Sequence, residues 1–261
     1  MKKRMLLYVV FGLVFYLLFL IIQIPASWFA WGVNYYSHNT VRLDPLSGSL
    51  WHGKGRLVIY YPQTAPHDFG NAEWRINPLW LITGRVQVEL QADKQDMKVK
   101  TAFSLGKGTI ALKDTDATFP AASISDLYQP AIMIGPQGQI RLTTSDLVFG
   151  RQNVEGSAAL EWLAATSSLS SVQPLGDYRL DITGAGKTAN LKLTTLRGDL
   201  ELTGQGQWQM ANGQIQFSGS ATPHGRIVEL DPLLKLFGKD QGGGRRLLTL
   251  NGQLPLPVSG R

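Results

Sequence analysis

The chain has 261 residues, 44% hydrophobic and 17% charged, with no cysteine and a formal charge of +6. The missing thiols exclude disulfides, thiol catalysis, iron–sulfur clusters and thiolate zinc sites. Lys2, Lys3 and Arg4 supply half of the charge, and no basic stripe with interleaved aromatics follows, so nothing points to nucleic acid.

Those three cations precede an apolar run from Met5 to Ile24 whose one strongly polar member is Gln23. At ~1.5 Å rise per residue, about 20 residues of helix cross the ~30 Å hydrocarbon core of a bilayer. The flanking cations keep the short tail, residues 1–4, cytoplasmic and send the rest across the membrane. A cleavable signal is the competing reading, with Ala26 and Ser27 as its small residues. The run is longer than such a signal needs, and Trp28, Phe29 and Trp31 follow at once, as an interfacial belt would. The expected organisation is a tail at 1–4, an anchor at 5–25 and an exported domain at 26–261.

Past the anchor the rhythm is period two. Arg85–Leu90, Lys98–Lys100, Gln139–Leu142, Arg179–Ile182, Leu191–Leu193, Asp199–Leu202 and Gln214–Phe217 alternate polar and apolar residues. Such alternation belongs to antiparallel sheet with one solvated face. Glycine clusters at 106–108, 135–138 and 184–186 punctuate it, and Asn212-Gly213 predicts a tight hairpin turn with positive φ at both residues. Two short helices are predicted at Asn77-Pro78 and Asp231-Pro232, each with an Asx cap, proline at the first position and a glycine stop at Gly84 or Gly238. A third covers Ile124 to Tyr128, ended by Pro130. The two Asx-Pro pieces, together with Gly48-Ser49-Leu50 and Gly198-Asp199-Leu200, hint at two related halves. A soft break lies near 164–175, and the proline-rich tail after Leu254 is expected to be extended or disordered. The fold class expected is mainly β: an N-terminal transmembrane helix, then a curved, largely antiparallel sheet with a few short helices.

The chemical inventory is poor. His38, His52, His67 and His224 have no ligand spacing, no nucleophile elbow or phosphate loop occurs, and Gly242–Gly244 before Arg245 and Arg246 reads as a loop. The chain is therefore expected not to be an enzyme and to hold no metal or cofactor. The tryptophans say more. Trp51, Trp74, Trp80 and Trp208 either fill the interior of a curved sheet or line an apolar interaction surface.

In order and spacing, several segments resemble the type II secretion system protein N family of Gram-negative bacteria. They are the basic tail and anchor, Leu46–Gly53, Trp74–Trp80, Leu175–Leu180, Gly198–Trp208 and Asp231–Gly238. More loosely, the Gly-x-Leu-x-x-Gly string at 48–53 is similar to AsmA-like envelope proteins, which are associated with lipid traffic. The first resemblance implies an accessory, single-pass inner-membrane subunit with a periplasmic domain. It would support transport of folded exoproteins by contacts with other secretion subunits, the outer-membrane secretin or the exoproteins. The alternative is a protein that binds or transfers phospholipid along the concave face of its sheet. The topology residues are then Lys2, Lys3, Arg4, Trp28 and Trp31.

Overall fold

Among the described residues thirteen strands pair strictly in sequence order into one continuous antiparallel sheet. They are β1 (Val41–Gly48), β2 (His52–Ile59), β3 (His67–Ile76), β4 (Val86–Lys94), β5 (Met97–Gly106), β6 (Thr109–Pro120) and β7 (Gln137–Phe149). Then come β8 (Val154–Thr166), β9 (Gly176–Ala185), β10 (Thr188–Gly198), β11 (Leu200–Gln209), β12 (Gln214–Pro223) and β13 (Arg246–Gln253). The computed structural model describes residues 2–60, 66–106, 108–127 and 131–254, with side chains there except at 2–7, 14, 18, 67, 126 and 127.

The register turns the sequence alternation into two chemically distinct faces. One row of directly paired residues crosses every strand: Leu46, Gly55, Ala72, Ala92, Val99, Ala117, Leu142, Leu160, Leu180, Leu193, Gly204, Gly219 and Leu248. Each is aliphatic or glycine. One residue along, the row reads Ser47, Lys54, Glu73, Gln91, Lys100, Asp116, Thr143, Ala159, Asp181, Lys192, Gln205, Ser218 and Thr249. Since a one-residue slip would exchange the faces, this pattern fixes the pairing.

The sheet curls toward its apolar side. β7 and β11 are four spacings apart, about 19 Å along a flat sheet, yet the rings of Phe149 and Trp208 meet at 6.3 Å. Two helices cover parts of this face. α1 (Lys2–Ile22) is followed, across an extended Pro25, by α2 (Ala26–Tyr36). α2 buries Ala26 and packs Phe29, Ala30 and Val33 against Leu43, Trp74 and Val88. At the other end α5 (Ile227–Leu234) buries Leu230, Leu233 and Leu234 against Tyr178, Leu200 and Ala221. Two single-turn helices, α3 (Ile124–Leu127) and α4 (Ala131–Ile134), sit in the β6–β7 connection.

Trp74 locks the first corner. It is 1% exposed, its ring stacks on Phe29 at 4.4 Å, and its indole N–H donates to the Leu50 carbonyl at 3.1 Å. Opposite it stands Gly53, where a Cβ would lie 2.3 Å from the indole ring, so no larger residue fits beneath.

Several expectations need correction. Phe29 does not join an interfacial belt, because α2 turns it inward onto Trp74 while Trp28 and Trp31 point outward. Asn77 does cap a 3-10 turn, Pro78–Thr83, accepting the Leu79 N–H at 3.1 Å, with Gly84 left-handed at the stop. Asp231 caps nothing. α5 begins at Ile227, so Pro232 falls inside it, and Asp231 instead pairs with Lys235 at 2.6 Å. The group that loses its Pro232 partner is the Val228 carbonyl, on a residue 85% exposed. At Asn212-Gly213 the hairpin forms, but only Gly213 has positive φ, in a four-residue connection.

The two Asx-Pro pieces lie in the β3–β4 and β12–β13 connections, at opposite ends of the sheet. Residues 167–175 form a loop between β8 and β9, strands that pair directly, and Ser170 ties it to the Glu229 carbonyl at 3.2 Å. Tyr128, Pro130 and the tail after Leu254 lie outside the described residues. Among the described residues no helix is long and apolar enough to cross a membrane.

Trp74→Ala removes the ring that joins α2, β2 and β3. Truncation of such a buried aromatic costs about 3–5 kcal/mol. Denaturant unfolding should report that loss, and a loss below about 1 kcal/mol would place the lock elsewhere.

Candidate interaction surfaces

The sheet's two edges differ. β1 carries cis-Pro45, which has no N–H, at a break in register between Leu43 and Leu46, and it lies beside α2. Such features keep foreign strands from pairing with an edge. On β13 the Leu254 N–H donates to the Gly213 carbonyl, so by two-residue alternation the groups of Thr249, Asn251 and Gln253 point away from β12. Leu247 is already occupied from outside by Gly238 and Lys239. Thr249, Asn251 and Gln253 have no such partner among the described residues. Leu248 and Leu250 flank them on the apolar side, Leu250 in contact register with Phe217.

The apolar face is sealed only in part. Between α2 and α5, Val99, Leu142, Leu160, Leu180 and Leu193 remain half-exposed. At one end of the middle strands Leu147, Val154, Ala189 and Met210 close against Phe149 and Trp208.

On the polar face β3–β7 border a groove of ≈ 960 Å³ lined by Glu73, Asp93, Lys98, Lys100, Asp116 and Arg141. Its charges are matched across strands: Lys54 to Glu73 at 2.5 Å and Arg141 to Asp116 at 2.9 Å. Hydrogen bonds from these cations hold the Glu73 and Asp116 carboxyls below their ordinary range. Beside them Asp68 is lowered further. Its causes are the Arg56 guanidinium, bound at 2.5 and 3.1 Å, and the Gly70 N–H at 2.9 Å. Exposed pairs of this kind, screened by solvent, contribute little to stability. The polar face thus supplies solubility and register. Among the described residues no three His, Asp or Glu side chains cluster as a metal site would require.

The sequence candidates separate. Trp74 is interior. Trp51 is half-exposed and donates its indole N–H to the Ile21 carbonyl at 2.8 Å, capping the last turn of α1. Trp80 is exposed in the 78–83 turn, and Trp208 packs on Phe149 with an indole N–H that finds no acceptor among the described residues. Trp28 and Trp31 lie on the outer side of α2, and the side chains of Lys2, Lys3 and Arg4 are outside the described set. Sequence reasoning missed the free edge of β13, whose Leu-Leu-Thr-Leu start breaks the alternation.

Comparison with known proteins now decides the family. The profile of the type II secretion system protein N family matches residues 39–249. The chain belongs to the type II secretion system protein N family. It is 24% identical to the type II secretion system protein N of Aeromonas hydrophila, over 97% of this chain and the whole of that protein. No solved structure matches. The matched span starts just before β1 and ends within β13, so the protein N family signature is essentially the sheet itself.

Asp68→Asn tests the charge pairing. A carboxyl lowered in the folded state stabilises fully above its unfolded value, near pH 4, and loses that contribution as pH falls through the folded value. The thermal stability difference between wild type and D68N should therefore be present at pH 7 and shrink below about pH 4. A difference that is flat with pH would contradict this.

Proposed function

We propose that this chain is an anchored accessory subunit of the type II secretion machinery that supports exoprotein transport by protein contact, not by chemistry. Family membership supports the machinery. The observation that supports the contact is the asymmetry of the edges: β1 is blunted, whereas β13 offers the outward groups of Thr249, Asn251 and Gln253. An extended segment added there would continue the ladder, and apolar residues at alternate positions would extend the apolar row past Leu248 and Leu250. Another secretion subunit, the outer-membrane secretin or an exoprotein would be the source of that segment.

The same proposal holds the domain at the inner membrane, with residues 5–25 as a single span, the N-terminus cytoplasmic and the sheet periplasmic. The support is the charge-free run from Met5 to Ile24 after three cations. In addition, Tyr8, Val9, Val10, Phe11, Leu13 and Leu17 of α1 are exposed on every side of the helix. A helix apolar all round needs an apolar surrounding, and the sheet does not provide it.

A second reading has its own support. The half-exposed row Val99, Leu142, Leu160, Leu180 and Leu193 would suit an acyl chain, as in a lipid-binding envelope protein. Stoichiometric rebinding of phospholipid by delipidated protein would favour it.

Asn251→Pro separates the two. Its N–H faces outward, so proline there removes a docking donor without breaking the β12–β13 ladder. Stability should change by no more than about 0.5 kcal/mol, while exoprotein release falls several-fold and exoprotein accumulates in the periplasm. Normal release by a folded N251P protein would count against edge docking.

A further inference from the structure

We propose that the β3–β4 turn, Pro78–Thr83, lies in the interfacial layer of the same bilayer that holds α1, as a second membrane contact that sets the tilt of the sheet. This inference rests on the anchor reading of α1.

The turn itself asks for no apolar side chains. Asn77, Pro78 and left-handed Gly84 shape it, and no residue from 77 to 85 is buried. Yet Leu79, Trp80, Leu81 and Ile82 follow in succession, with Leu79 70% and Ile82 84% exposed. A contiguous apolar patch of this kind in water marks a contact surface. Tryptophan with aliphatic neighbours is the chemistry of the headgroup layer.

Position identifies the occupant. The N–H of Ile76, the last residue of β3, donates to the Trp51 carbonyl at 2.7 Å, and the Trp51 indole donates to the Ile21 carbonyl at 2.8 Å. Leu50 N–H donates to the Ile24 carbonyl at 2.8 Å. The turn is thus tied through one residue, Trp51, to the end of α1. Charge agrees. The connections at this end of the sheet carry Arg85, Arg151 and Lys187 and no Asp or Glu among the described residues. Those at the opposite end mix Asp96, Asp199, Glu229, Asp231 and Asp240 with Arg226, Lys235, Lys239 and Arg245. An acid-free, basic end suits anionic headgroups. The exposed Ile132 and Met133 lie at that opposite end, away from α1, and serve as the internal contrast.

Because the chain has no cysteine, single labels are clean. Leu13→Cys, Ile82→Cys and Ile132→Cys in the full chain would each carry an environment-sensitive fluorophore. Each protein would sit in nanodiscs of phosphatidylethanolamine and phosphatidylglycerol. Labels at 13 and 82 should be blue-shifted and protected from an aqueous quencher, with the label at 132 freely quenched. Protection at 13 but free quenching at 82 would overturn the inference and leave the anchor standing. Free quenching at 13 would remove the anchor and this inference with it. Equal protection at 82 and 132 would also overturn it, since the shielding would not belong to the α1 end.

Discussion

One constraint governs this protein: every strand of a single open sheet must present its apolar residues on the same side. A fully buried aliphatic side chain contributes about 1.5–3 kcal/mol, whereas an exposed ion pair, screened by solvent, contributes little. The apolar rows therefore fix register and curvature, and the Lys54–Glu73 and Arg141–Asp116 pairs keep the opposite face in water. An open sheet of this kind cannot bury that side against itself alone. α2 covers it at β1–β3 and α5 at β9–β12, and between them a half-exposed stretch persists.

The first corner joins this sheet to α1 and α2. Trp74 clamps α2 onto β2 and β3, and the Trp51 indole N–H gives the Ile21 carbonyl a 2.8 Å bond beside the long 3.4 Å one from the Ile24 N–H. The Trp74 ring on α2 and the Trp51 indole N–H on α1 thus join helix and sheet. A domain oriented by such a joint can hold a distant edge at a defined place. β13 is the strand farthest from α1 in the pairing order, and among the described residues its Thr249, Asn251 and Gln253 have no outward backbone partner. Orientation at one edge and availability at the other suit a subunit that works by contact.

Much of this was legible in the sequence. The strands whose alternation is unbroken, such as Val86–Leu90 in β4 and Gln214–Phe217 in β12, lie where period two puts them. β6, β7 and β8 are harder because Asp114, Asp146 and Ala164 adopt positive φ at bulges, and each bulge shifts the phase of alternation. At Thr115 the displaced backbone is repaired by Thr144, whose hydroxyl accepts the N–H at 3.2 Å, a contact between residues 29 apart that no local pattern announces. Asp231-Pro232 misled because the same dipeptide starts a helix or sits inside one according to where the preceding residues pack. The role of Trp74 also depended on a partner, Phe29, from a different element. The surface at 78–83 was visible as composition, but only the Trp51 link gives it a place.

The most direct test of the contact account is a photoreactive residue at position 251 in intact secreting cells. The account predicts a crosslink from the β13 edge to another component of the secretion machinery or to an exoprotein. Crosslinks only to unrelated envelope proteins, or only to phospholipid, would contradict it.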